Sequence, residues 1–168
     1  MTPMPPMGNR ENERQTPHYI FDPLNERFDF TIDAAASHAN ALVWKYATLH
    51  GAYQDLFLNE PESMAEKISD EDGLALPWAT SNGLGHRARV WCNPPYGRGL
   101  LEPFVAKMHE EWLAGCIVVA LLPCRTEQPW FHRYVIGDGA RIEWIEKRVR
   151  YDGLKAGAPF PSMIVIWQ

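Results

Sequence analysis

At 168 residues, with 46% apolar and 22% charged residues, the chain has the make-up of one compact globular domain. No apolar run approaches the ~18 residues that a membrane span needs, and no basic-then-apolar leader opens the chain, so a cytoplasmic location is expected. The net charge of -5 gives no support to nucleic-acid binding, but it is uneven: residues 53–72 hold seven acids and one Lys, whereas residues 125–155 hold seven Lys/Arg against five acids.

Residues 1–15 are rich in Met, Pro, Asn and charge without a period, and read as a disordered or flexible arm; residues 16–168 read as a single domain. Thr16 as N-cap with Pro17 at the first helical position opens an amphipathic stretch in which Tyr19, Ile20 and Leu24 are spaced like one helix face. Residues 28–32 alternate apolar and polar as a strand does and run into Asp33, after which an Ala-rich stretch begins a turn or helix. Residues 42–57 are mixed, and the acidic stretch 50–71 reads as an insertion. A short strand over 88–92 meets two prolines, which remove ladder donors and end it. Leu101, Phe104, Val105, Met108 and Trp112 recur at helical spacing, so 100–114 is predicted helical. The unbroken apolar run 116–122 predicts a strand buried on both faces, 127–136 a helix, and 142–145, 149–151 and 163–167 three further strands. Alternating strands and helices followed by late strands argue an α/β domain with helices on a mainly parallel sheet.

The sharpest chemical feature is Asn93-Pro94-Pro95-Tyr96, directly after a strand, where ligands of open α/β sheets bind. An exocyclic amine on an aromatic base is a poor nucleophile because its lone pair is delocalised. The Asn93 side-chain oxygen and the Pro94 carbonyl can hold its two hydrogens and favour a more tetrahedral nitrogen. Pro95 stiffens the loop so that the acceptors stay aimed. Tyr96 offers a face on which a flipped base can stack, worth roughly 1–3 kcal/mol. The competing reading of the four residues is a proline-rich turn that caps a strand.

Further pieces stand in order along the chain: Thr16-Pro17 with Phe21-Asp22, Phe28-Asp29-Phe30-Thr31-Ile32-Asp33-Ala34, Asp72-Gly73-Leu74 with Trp78, Leu121-Leu122-Pro123-Cys124-Arg125-Thr126 with Trp130-Phe131, Arg148-Val149-Arg150-Tyr151, and Pro159-Phe160-Pro161-Ser162. With the tetrapeptide among them, the chain resembles the phage-type DNA N6-adenine methyltransferase family (Dam-type) from about Thr16 to Trp167. The resemblance implies a Rossmann-like class I methyltransferase fold, three-layer α/β/α, with S-adenosylmethionine as methyl donor, adenine N6 as acceptor and DNA, double- or single-stranded, as partner. It implies that Thr16-Pro17 touches the donor's methionine part, that Asp33 accepts from its amino group and that Asp72 binds its adenine amino group. Each has a local alternative: Thr16 and Asp33 as helix caps, Asp72 with Gly73 as a turn. Residues 33–41 contain no Gly, a departure from the Gly-rich loop that follows the first strand in many methyltransferases.

Arg125 is a candidate phosphate contact. Trp130 and Phe131 are candidates for the wall of the base pocket, although an apolar pair opening a helix is more often core. Arg148, Arg150 and Lys155 can follow a DNA backbone or form a solvated strand face. The six histidines show no ligand spacing, so no metal site is expected, and three cysteines without metal-ligand spacing read as reduced thiols. The same tetrapeptide chemistry serves cytosine N4, RNA adenine and a protein glutamine amide, and a non-catalytic DNA-binding relative is the remaining alternative.

Overall fold

The computed structural model describes residues 15–36, 42–43, 45–46, 54–55, 74, 77–81, 87–151 and 157–168. Helix α1 (His18–Phe28) is followed by β1 (Ile32–Asp33), β2 (Lys45–Tyr46), β3 (Gln54–Asp55), the short helix α2 (Trp78–Ser81), β4 (Arg89–Cys92), α3 (Leu101–Leu113), β5 (Ile117–Pro123), a π-helical segment (Phe131–Ile136), β6 (Arg141–Trp144) and β7 (Ser162–Trp167). The strands form one sheet in the order β3-β2-β1-β4-β5-β7-β6. β1 runs parallel to β2 and β4, and β4 parallel to β5; β3 against β2, and β7 against both β5 and β6, are antiparallel. The fold is therefore α/β with a mixed sheet, not the mainly parallel one expected. No helix is described between β6 and β7, and without a crossover helix a strand returns antiparallel.

The pleat sorts side chains onto two faces. Val118, Ala120 and Leu122 of β5 join Trp78, Leu101, Phe104, Val105, Met108, Phe131 and Val135 in one core. Val119 and Leu121 join Ile20, Phe21, Leu24, Phe28 and Trp91 in the other. β5 is thus buried on both sides, as its unbroken apolar run predicts, and each large aliphatic side chain so buried stabilises the fold by about 1.5–3 kcal/mol.

Four local expectations are corrected. Helix α1 starts at His18, with Pro17 extended (φ -65°, ψ 142°) as N-cap and its carbonyl accepting from Ile20 and Phe21; Thr16 is not the cap. At the other end the helix runs through Phe28, so residues 28–31 are no strand. Asp29 takes the left-handed conformation (φ 50°), its N–H returns to the Asn25 carbonyl, and the Asn25 side chain accepts from Phe30 N–H at 3.0 Å. That turn folds Phe30 back against Phe21, Phe28 and Trp91. Residues 149–151 alternate in burial but pair with no strand: the Val149 carbonyl accepts from Ala158 N–H, and Arg150 N–H donates to the Tyr19 hydroxyl. The expected helix over 127–136 widens into a π-helix, Gly137 N–H bonding back to His132 at 2.9 Å; a Cβ at Gly137 would stand 2.7 Å from the Arg133 carbonyl. The acidic stretch 50–71 and the arm 1–15 fall almost entirely outside the described residues, as do Asp72 and Lys155. Among the described residues no helix is long and apolar enough to cross a membrane.

Candidate active site

β1 and β4 are parallel neighbours, with Asp33 in register with Trp91. Their carboxyl ends, Asp33 on one strand and Cys92-Asn93 on the other, therefore lie side by side. From β1 the sheet continues outward to β2 and β3, and from β4 to β5, β7 and β6, so the order reverses between them. A crevice at such a reversal is where open α/β sheets bind ligands.

Residues from four parts of the chain converge on the tetrapeptide. Pro94 and Pro95 are buried, which fixes the turn after β4. Asn93 Nδ2 donates to Thr16 Oγ1 at 3.0 Å, and the Tyr96 hydroxyl donates to Asn93 Oδ1 at 2.8 Å. The amide is thus held at both ends. The same Tyr96 hydroxyl lies 2.8 Å from the Leu121 carbonyl, a second acceptor for its one hydrogen, and 3.3 Å from the Tyr151 hydroxyl. The Tyr96 ring is packed edge-on by Phe160, centroids 5.4 Å apart. Arg125 Nη2 donates to the Tyr96 backbone carbonyl at 3.4 Å, joining the loop after β5 to the loop after β4.

Asp33 is only 3% exposed. Among the described residues the donors that reach it are backbone N–H groups, of Leu42 at 3.2 Å and of Ala35. Burial outweighs these bonds and pushes its carboxyl from 3.8 up to about 7. Burial, and then the Asp33 carboxylate, push the Cys92 thiol well above its usual range. Between those two values for Asp33 the folded chain holds a proton that the unfolded chain has released, so the stability contributed by this residue falls as pH rises from about 4 to about 7. Asp33→Asn, which cannot ionise, is expected to lose that decline. Thermal melts check it: the advantage of the variant over the wild type grows between about pH 5 and pH 8, and an equal difference at both ends refutes the assignment.

The structure brings Thr16, Asn93, Tyr96 and Arg125 into direct contact and sets Asp33 on the adjoining strand end. Pro17 follows Thr16 at the same edge. Trp130 and Phe131, 3% and 5% exposed, belong to the apolar cluster that also holds Phe104 and Met108 of α3 and against which Tyr96 packs. Arg148 and Arg150 are exposed on either side of buried Val149. Two partners in the network had no role assigned from sequence, the Leu121 carbonyl and Tyr151. The second carried a signal, since a Tyr at an apolar position needs a hydrogen-bond partner for its hydroxyl. Among the described residues no group of three or more His, Cys, Asp or Glu is arranged to hold a metal ion. No protein-family model and no curated protein sequence matches the chain.

Proposed function

We propose that the chain is an S-adenosylmethionine-dependent methyltransferase that methylates adenine N6 in DNA. The observation that carries this reading is the Asn93 amide, gripped at both ends at the carboxyl end of β4 and beside a buried carboxylate at the end of β1. The parallel run β2-β1-β4-β5 at the centre of the sheet and the apolar cores on both its faces support a Rossmann-like class I methyltransferase fold.

In this reading Asn93 Oδ1 and the Pro94 carbonyl accept the two N6 hydrogens and draw the nitrogen toward a tetrahedral shape. The Tyr96 hydrogen has two acceptors at equal distance. When it turns to Leu121, an amine hydrogen takes its place at Asn93 Oδ1. The Tyr96 ring serves as the stacking surface. No general base is required, because the nitrogen becomes cationic on methylation and sheds its proton to water. S-adenosylmethionine, when bound, supplies a methyl carbon attached to a positively charged sulfur. The donor set present suits it: Asp33 is a carboxylate whose charging is opposed by burial and eased by a cationic amino group, and Thr16, with Pro17 after it, is bonded to Asn93 just beyond the neighbouring strand β4; Asp72 lies outside the described residues. Arg148 and Arg150 offer exposed cations to a phosphate backbone.

The test is expression in a methylation-free bacterial host, followed by sequencing of native DNA and mass spectrometry of digested DNA, RNA and protein. N6-methyladenine in a defined base context is expected. Methyl groups appearing instead on cytosine N4, RNA adenine or a glutamine amide redirect the reading to that acceptor. Binding of the donor in calorimetry without transfer to any of them leaves a non-catalytic relative.

A further inference from the structure

The resemblance implies that Thr16 touches the donor, yet among the described residues its side chain bonds to Asn93 Nδ2. We infer that Thr16 is a positioning residue for the methyl-transfer step, acting through the orientation of the Asn93 amide; this rests on the methyltransferase reading above. A carboxamide has nearly the same shape either way round. It helps an attacking amine only when its oxygen faces the N–H groups, and turned over it opposes them with its own N–H groups. Thr16 Oγ1, accepting from Nδ2, holds the amide from its nitrogen end, so the productive sense is kept when the Tyr96 hydrogen leaves the oxygen for Leu121.

The hold is rigid because Thr16 is only 2% exposed and is followed by the N-cap of α1. Helix α1 is in turn fixed to the strand that carries Asn93, through the edge-on contact of Phe21 with Trp91, ring centroids 5.6 Å apart. One end of α1 therefore locks a side chain at the end of β4, across 77 residues of sequence.

The experiment compares wild type, Thr16→Val, Thr16→Ala, Thr16→Ser and Asn93→Ala, with unmethylated bacterial DNA and tritium-labelled donor, alongside calorimetric titration of the donor. Thr16→Val and Thr16→Ala are expected to lower kcat about tenfold or more, as the loss of a preorganised contact does, with donor affinity within about threefold of wild type. Thr16→Ser, which keeps the hydroxyl, is expected to restore kcat. Unchanged kcat in the folded Val or Ala variant overturns the inference, and so does a loss that appears in donor affinity alone, which returns Thr16 to the donor site. A readout on the wild type needs no variant: the Asn93 side-chain NH2 signal, identified by its absence in Asn93→Ala, is expected to exchange slowly with water, and rapid exchange of both hydrogens overturns the inference. If wild type is active, Asn93→Ala is dead and Thr16→Val matches wild type, only the Thr16 role fails. If Asn93→Ala matches wild type, the mechanism itself fails.

Discussion

Asn93→Ala is expected to reduce methyl transfer to DNA by at least about 10²–10³-fold, the scale on which removal of one preorganised electrostatic group acts. The chain around it is expected to stay folded. Asn93 is half-buried, and its deletion leaves the Tyr96 hydroxyl with the Leu121 carbonyl and Tyr151 as partners, so the stability cost is confined to about 1–3 kcal/mol for the polar groups that lose the amide. Donor binding is expected to persist, since Asp33 reaches the crevice from the neighbouring strand β1 and keeps its backbone donors there. Asn93→Asp separates acceptor chemistry from the amide as such. It keeps an oxygen toward Tyr96, and the Thr16 hydroxyl can donate to its second oxygen, so it retains much more activity than the Ala variant. Incorporation of tritium from the donor into DNA measures both. Full activity of a folded Asn93→Ala variant would remove the acceptor-pair mechanism.

Periodicity made the rigid parts of this fold legible. The helical recurrence of Leu101, Phe104, Val105 and Met108 and the apolar run of β5 are set by burial, and burial is a local property of each position. The failures came where a side chain at a distance decides the backbone. Phe28-Asp29-Phe30 alternates like a strand, but the Asn25 side chain and the left-handed Asp29 end a helix there. Val149 and Tyr151 are buried in the cluster with α1 while Arg150 between them is exposed, so the alternation arises from packing on that face without a ladder. The site divides in the same way. The tetrapeptide was readable because its chemistry is contained in four adjacent residues, whereas the bond from Asn93 to Thr16 joins residues with no sequence relation.

Glu111→Ala is expected to cost about 3–5 kcal/mol, the penalty for removing one partner of a buried ion pair. Glu111 and Lys107 are one turn apart on α3, 2.7 Å from each other, with side chains 5% and 13% exposed. A Glu three residues after Met108 falls on the buried stripe of the helix, and its burial requires partners on every side. They are present. Glu111 Oε2 accepts from Ala79 N–H at 2.9 Å, one of the first N–H groups of α2, which lack partners within their own helix. The Cys116 thiol lies 3.9 Å from the same oxygen, and burial, reinforced by the Glu111 carboxylate, pushes that thiol up to about 11. Lys107 Nζ in turn lies 5.8 Å from the centroid of the Trp78 ring, which is fully buried. Glu111 thus caps one helix from another and keeps Trp78 in the core; truncation strands the Lys107 ammonium and the Ala79 N–H together. For a chain of this length the loss corresponds to a fall in Tm of roughly 10 °C. Glu111→Gln, which can still accept from Ala79, is expected to lose less, and Lys107→Met combined with Glu111→Leu less than Glu111→Ala, because replacing both charges leaves neither stranded. Thermal melts of the three variants order them; a Glu111→Ala midpoint within about 2 °C of wild type contradicts the capping role.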